Sequence, residues 1–367
     1  MKKCPIFVLF ALFVVIFSLT SFFLPVRSYS ELENRYLAQK PEFTWKGFLK
    51  AEFSKEYEEY CNDQFPARDQ WVTLKSVTET ALGKTENNGV VLGKDGYLFN
   101  KVLRLDETQW EKNTEALRQF AQEHTQNLTV AIVPNSYAVL TPLLPSGLQE
   151  LDQKSIVEKL YQDLEGSART VDLFPTLSEH RDEYIYYRTD HHWTTLGAWY
   201  GYQQLCNSLG LSPVPLSSWK GTEVSGFYGT YYSRSRLWGA VEDTITWYDI
   251  PVKSVICDGT EMGGLYNLSQ WETRDKYAAF LHGNHGMTVI RGENPSSQKK
   301  LLILQDSFGN SLAPFFLANY SEVTILDLRH FTASLRQYLA ENTFDDILVL
   351  YSFDGFTEEK SVLRMKY

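Results

Sequence analysis

Twenty consecutive residues without a charge, Pro5 to Leu24 (PIFVLFALFVVIFSLTSFFL), set the first constraint on this chain. Lipid offers backbone polar groups no partner, so a spanning segment must satisfy them internally as a helix of about 20 apolar residues. The run exceeds the roughly 7–15 apolar residues of a cleaved signal peptide, and no A-x-A-like site follows it. An uncleaved signal anchor is therefore expected. Lys2 and Lys3 precede the run, which by the positive-inside rule places the short tail in the cytoplasm and the rest of the chain outside. The expected location is the cell membrane, single-pass, with the folded domain extracytoplasmic.

The remaining length is enough for one large α/β domain with additions or two modest ones, and 43% apolar content supports an ordinary core. A net charge of -10 argues against nucleic acid, because binding to phosphates requires a basic surface. The 9 Trp, 22 Tyr and 22 Phe offer flat faces on which sugar rings can stack, although most aromatic side chains serve the core. Cys4, Cys61, Cys206 and Cys257 lie far apart with no zinc or redox spacing. Cys4 sits at the membrane edge, which leaves at most one disulfide among the other three. No cofactor is implied.

Three segments follow from the pattern: 1–27 as tail and transmembrane anchor, 28–87 as a helical stalk or cap, and 88–367 as an α/β domain. Apolar residues recur three and four apart through the second segment, and Gly83 closes its last helix. Asn88 to Phe99 reads as two strands around a Lys94-Asp95-Gly96 turn. Apolar runs at Leu128 to Val133, Ala168 to Leu173, Leu301 to Leu304, Val323 to Leu326 and Ile347 to Tyr351 then alternate with helical patterns. Such continuous strands describe a doubly wound parallel sheet with helices on both faces and a functional crevice at the strands' carboxyl ends. Residues 207–300, rich in Gly, Ser, Tyr and Trp, break the pattern and are expected to form an irregular insertion, either a lid or a substrate-facing surface.

Two motifs carry chemistry. In LLILQDSFGN an apolar strand runs into Asp306-Ser307-Phe308-Gly309. A serine at a strand-to-helix junction presents its hydroxyl at the sheet edge, where helix-start N–H groups can hold an oxyanion; equally, it can simply cap the helix. In RTDHHWTTLG, Asp190 precedes His191 and His192. Histidine is suited to take a serine proton at neutral pH, and a carboxylate two residues earlier can fix its tautomer. A loop histidine, a cap from Thr189 or Asp190, or a metal site of Asp190, His191 and His192 would use the same residues. Adjacent histidines usually diverge, and no distant ligand motif completes such a site, so no metal is expected.

Together these segments resemble the DHHW family and its relatives, the alginate O-acetyltransferases of the SGNH hydrolase-like superfamily. The resemblance runs through Glu33-Asn34-Arg35, Asp63-Gln64-Phe65-Pro66-Ala67-Arg68, Gly93 to Phe99, Val133-Pro134-Asn135, Thr189-Asp190-His191-His192-Trp193 and Asp306-Ser307-Phe308. It implies an SGNH-hydrolase-like doubly wound sheet, with Ser307 as nucleophile, His192 as base and Asp190 as orienting acid. His191 takes the variable position of the motif, and Gln305 stands where those relatives have Gly. Asn135 and Arg329, each after an apolar strand, and His191 are candidates for oxyanion or substrate contacts; for Asn135 and Arg329 a loop cap and a surface salt bridge are the alternatives. The implied function is extracytoplasmic acetyl transfer to a cell-envelope or secreted polysaccharide through an acetyl-serine, beside a membrane-bound O-acyltransferase as acetyl donor. A carbohydrate deacetylase, or a catalytically silent polysaccharide-binding or assembly protein, would use the same fold.

Overall fold

The computed structural model describes residues 5–30, 35–102, 104–148 and 151–367; Lys2, Lys3, Cys4, Glu33 and Asn34 lie outside them. Contacts divide the chain into Met1–Asn88 with Ser233–Trp238, and Gly89–Tyr232 with Gly239–Tyr367.

The first unit opens on a helix, Pro5–Phe23, with no buried residue. Among the described residues it is the one helix long and apolar enough to cross a membrane. Three helices follow, Trp45–Leu49, Glu52–Asp63 and Arg68–Ala81. The Thr44 side chain caps the first by accepting from the Gly47 N–H. Asp63, which opens the Asp63 to Arg68 motif, accepts the Ala38 N–H at 2.8 Å and lies 3.7 Å from the Arg68 guanidinium.

The second unit is built on one eight-stranded sheet. In chain order its strands are β1 (Leu128–Val133), β2 (Arg169–Thr170), β3 (Val252–Cys257), β4 (Thr260–Met262), β5 (Met287–Gly292), β6 (Lys300–Gln305), β7 (Glu322–Leu326) and β8 (Asp346–Ser352). They lie in the order β4-β3-β5-β7-β6-β8-β1-β2. From β7 to β2 every neighbouring pair is parallel, whereas β5, β3 and β4 add antiparallel strands beyond β7. The sheet is therefore mixed, not wholly parallel as expected. Of the stretch 207–300, Val252–Cys257, Thr260–Met262 and Met287–Gly292 supply that antiparallel edge instead of an irregular insertion. In β5 buried and half-buried residues alternate, the pattern of a strand with one face on the core. That weaker signal explains why continuous apolar runs alone do not reveal it.

Alternation along the parallel strands feeds two cores. Leu301, Ile303, Leu348 and Leu350 join one cluster with Ala198, Tyr202 and Leu205 of helix Thr195–Leu209. Leu302, Leu304, Ile347 and Val349 join the other, with Leu117 and Phe120 of helix Glu107–Glu123 and Val157 and Leu160 of helix Gln153–Asp163. Both faces are thus covered. Each fully buried Leu or Ile contributes about 1.5–3 kcal/mol by leaving water, which makes the sheet a rigid base for what its strand ends carry. From β6 the chain runs out to β7 and returns past β6 to β8, so β6 sits where the connections diverge. Clefts open at the carboxyl end of such a strand. Ser307 lies two residues beyond it.

Candidate active site

Ser307 is held by its neighbours on both sides. Asp306, buried, accepts the Phe308 N–H at 3.0 Å with one carboxylate oxygen, and with the other the Ser352 N–H at 2.8 Å and hydroxyl at 2.6 Å. The ends of β6 and β8 are thereby tied together directly beneath the serine. The helix beyond is a single turn, Gly309–Leu312, shorter than the sequence suggests, and the Ser307 hydroxyl does not cap it. Instead, that hydroxyl lies 2.7 Å from His192 Nε2. On the far side of the ring, Nδ1 is 2.6 Å from Asp190 Oδ1. One tautomer satisfies both contacts: Nδ1–H donates to Asp190, and Nε2 accepts the serine hydroxyl proton. Three residues separated by up to 117 positions thus form one hydrogen-bonded chain.

The DHHW loop owes its shape to buried partners. Asp243 accepts the Arg188 N–H at 2.7 Å, the Thr189 N–H at 2.8 Å, the Thr189 hydroxyl at 2.5 Å and the Tyr184 hydroxyl. Asp190 also accepts the His192 N–H at 3.0 Å and the Thr230 N–H at 2.8 Å, so its carboxylate is fixed by three donors. Thr194, not Thr189 or Asp190, caps the next helix by accepting from Gly197 at 3.3 Å. Trp193, fully buried, donates to the Phe308 carbonyl at 3.0 Å and Ser311 Oγ at 3.1 Å. The tryptophan of the motif therefore fastens the histidine loop to the segment carrying the serine.

Charge follows from this geometry. Burial lowers the His192 pKa, and the neighbouring His191 lowers it further against the pull of Asp190, to about 4. His192 is consequently neutral at pH 7 and able to accept a proton. Burial would raise Asp190, but the two imidazoles outweigh it and hold the carboxyl well below its usual range. Burial would lower His191; the Asp190 carboxylate, with Asp306 and Asp354 beyond it, raises it instead.

The two adjacent histidines do not diverge as expected. Their ring centroids are 3.7 Å apart, because His191 Nδ1 is tethered 2.8 Å from Thr230 Oγ1, on the same side of the loop. Ligand atoms of Asp190, His191 and His192 accordingly lie within 4.8 Å of one another. His192 spends both ring nitrogens within the protein, on Asp190 and Ser307, and so has no lone pair to offer an ion in this arrangement.

The helix-start N–H groups expected to hold an oxyanion are largely committed. Phe308 donates to Asp306 Oδ1, Gly309 to the Asp306 carbonyl and Asn310 to the Ser307 carbonyl. Asn135 follows β1, two strands from β6; it is buried, its N–H donates to Gln153 at 3.1 Å, and its Oδ1 has no hydrogen-bond partner among the described residues. Arg329 follows β7, and its guanidinium grips Asp327 through contacts of 2.6–3.1 Å. Its charge also acts on His192 and Asp306. Gln305 donates to Asn310 Oδ1 at 2.7 Å and fills the space where a side chain at Gly309 would otherwise fit. Cys61, Cys206 and Cys257 are free thiols, the last two buried.

Sequence reasoning missed Tyr277, whose ring lies flat on His192 with centroids 3.7 Å apart and 9° between planes. It also missed Asp243, Gly229 and Ser352. None stands in a motif, and the first three fall in the stretch read as an insertion.

The fold and this cluster define an α/β protein with a serine, histidine and aspartate hydrogen-bonded in series at the carboxyl edge of a parallel-containing sheet. A family model described as DHHW protein matches residues 138–326, just over half of the chain, and the chain belongs to that family. It is similar to a probable alginate O-acetylase AlgJ of Pseudomonas syringae pv. tomato, 26% identical over 170 residues that cover 43% of this chain and 42% of that one. The same is true of the probable alginate O-acetylase AlgJ of Pseudomonas fluorescens, 28% identical over 176 residues covering 44% and 43%. The chain spans less than half the length of these curated relatives. Among solved structures, a DHHW family protein from Eubacterium siraeum superposes with a TM-score of 0.67 at 24% identity, over 76% of this chain and 95% of that one. Bacillus cereus PatB1 gives 0.63 at 21% identity, over 73% and 97%. These likenesses establish a shared fold.

Proposed function

We propose that this protein is a membrane-anchored, extracytoplasmic O-acetyltransferase that acts on hydroxyls of a cell-envelope or secreted polysaccharide through an acetyl-Ser307 intermediate. The observation that carries the proposal is the Ser307–His192–Asp190 chain of hydrogen bonds, 2.7 and 2.6 Å long. The names of the Pseudomonas relatives support the polysaccharide and the acetyl group, and the apolar helix Pro5–Phe23 supports the anchor. A membrane-bound O-acyltransferase would supply acetyl groups. The same reading takes the sheet as SGNH-hydrolase-like and doubly wound, which the parallel strands, the helices on both faces and the position of Ser307 support.

In the first half-reaction His192 Nε2 takes the Ser307 proton as Oγ bonds to the acetyl carbon. The tetrahedral species collapses, and the donor's leaving group departs with that proton. In the second, a sugar hydroxyl gives its proton to Nε2 while attacking the acetyl-serine, and Ser307 Oγ leaves and takes the proton back. Asp190 keeps Nδ1–H in place and balances the transient imidazolium. The Ser307 N–H, which has no hydrogen-bond partner among the described residues, is the backbone donor available to the developing oxyanion. Asn135 and Arg329 are proposed to contact substrate or oxyanion from neighbouring strand ends. Full-length protein in detergent, given an acetyl ester and an oligosaccharide acceptor, is expected to yield Ser307-dependent acetylated sugar. Free acetate alone would make it a deacetylase or esterase, and no turnover would make it a silent binding protein.

Two further results are expected. A Cβ at Gly229 would sit 2.2 Å from Asp190 Cβ and 2.3 Å from Oδ2, so Gly229→Ala must displace the carboxylate. Turnover should fall on the order of 100-fold, the scale of a misplaced catalytic group, with the circular dichroism spectrum retained. The pH profile is the second. Because His192 must be neutral and its pKa is lowered to about 4, activity should persist well below pH 6.5 and be lost only as pH falls through that lowered value. His191→Gln removes a repelling charge, so the His192 pKa rises and the acid limb of kcat/KM should move to higher pH; a limb that moves down or stays put contradicts the assignment.

A further inference from the structure

Tyr277 touches both halves of the reacting pair. Its ring stacks on the His192 imidazole at 3.7 Å and 9°. Its hydroxyl donates to the Ser307 carbonyl at 3.0 Å and lies 3.2 Å from Ser311 Oγ, the hydroxyl that also receives the Trp193 N–H. Two rings centred 3.7 Å from the same imidazole, Tyr277 and His191, cannot share one face, so His192 is held between them. Behind Tyr277 stand Phe280, with centroids 5.2 Å apart, and Tyr187, edge-on at 6.3 Å. Burial drives the phenol well above its ordinary pKa, so it remains a neutral donor throughout the working range.

From this arrangement we infer that Tyr277 is a positioning residue that sets the plane of His192 and the backbone of Ser307 together, holding base and nucleophile in register before substrate arrives. A free imidazole rotates about χ1 and χ2; a flat ring on one face and a second on the other leave the orientation in which Nε2 meets Ser307 Oγ and Nδ1 meets Asp190. The hydroxyl adds a constraint the ring alone lacks, because it fixes the peptide unit from which the serine side chain projects. The ring also keeps water from that face of His192. The other charged groups acting on His192 are Asp190, His191 and Arg329, none of which a substitution at Tyr277 removes.

The inference rests on the proposed roles of Ser307 and His192, and its test separates the two. Hydrolysis of an acetyl ester by the full-length chain would be followed against pH for wild type, Tyr277→Phe, Tyr277→Leu and Ser307→Ala, with thermal unfolding as a check on folding. Tyr277→Leu should lower kcat on the order of 100-fold with KM little changed, because it loosens geometry and not binding. Its acid limb should shift upward as water reaches the imidazole. Tyr277→Phe keeps the stack and loses the hydroxyl's contacts with the Ser307 carbonyl and Ser311 Oγ, so kcat should fall about five- to tenfold with the acid limb unmoved. A folded Tyr277→Leu with wild-type kcat and acid limb would overturn the inference. Should Tyr277→Leu not fold, wild-type kcat in Tyr277→Phe would overturn it. If wild type shows no Ser307-dependent turnover, the functional reading fails, and NMR of histidine-labelled protein, with His192 assigned through His192→Gln, still decides the positioning. Its ring-proton shift should be preserved in Tyr277→Phe and lose the ring-current displacement in Tyr277→Leu. An identical resonance and titration in all three refutes the clamp.

Discussion

Replacing Ser307 with alanine is expected to remove at least about four orders of magnitude of turnover while leaving the fold intact, the scale seen when the nucleophile of a serine–histidine–aspartate unit is deleted. The physical reason is that in the proposed reaction Oγ is the atom that accepts the acetyl group, and among the described residues no other hydroxyl lies against His192 Nε2. Ser311 Oγ is committed to Trp193 and Tyr277, and Ser352 Oγ donates to Asp306. Stability should change little, because the substitution removes a single hydrogen bond, that to His192, and water can reach the imidazole nitrogen once the hydroxyl is gone. Steady-state hydrolysis and thermal unfolding measured side by side check both halves. Residual turnover within about tenfold of wild type, on the free-energy scale used for mutant kinetics, would remove Ser307 from the mechanism.

Asp190→Asn should be nearly as damaging, on the order of 10⁴ in kcat, for a different reason. The carboxylate is 2% exposed and accepts from His192 Nδ1, the His192 N–H and the Thr230 N–H. An asparagine of the same shape cannot accept from all three donors: with its NH2 turned to the Thr230 N–H it is pushed out of place against the ring, and with its NH2 at Nδ1, where it also meets the His192 N–H, it stabilises the tautomer with the proton on Nε2. That tautomer cannot accept the serine proton. The geometry survives and the chemistry does not, so the variant should fold and lose kcat more than KM. A kcat within about tenfold of wild type would show that tautomer control is not Asp190's role.

Much of the fold was legible because its central strands are unambiguous. LTVAIV, LLIL and ILVLY are too continuously apolar to face water on either side, and they became β1, β6 and β8 between two cores. The antiparallel edge was not legible: β5 alternates between buried and half-buried residues, β3 includes the exposed Lys253, and the place of β5 beside β7 and of β3 beside β5 depends on pairing across the sheet, which no local spacing encodes. The site divides in the same way. Asp190 and His192 lie two residues apart, so their partnership could be read from one loop. Ser307 could be joined to them only through its strand junction and the family resemblance. Tyr277 and Asp243 left no trace, since a tyrosine 30 residues before a serine carries no signal until the backbone brings its ring onto an imidazole. One helix-start donor was not legible as occupied, for a local reason: Asp306 turns back to accept the Phe308 N–H, which takes that donor out of play.

The most direct measurement is peptide mass spectrometry of the full-length protein quenched during turnover of an acetyl ester. The account expects one added acetyl group on the peptide containing Ser307, absent from Ser307→Ala and strongly reduced in His192→Gln. An acetyl group carried on any other residue, or undiminished ester turnover by Ser307→Ala, would contradict it.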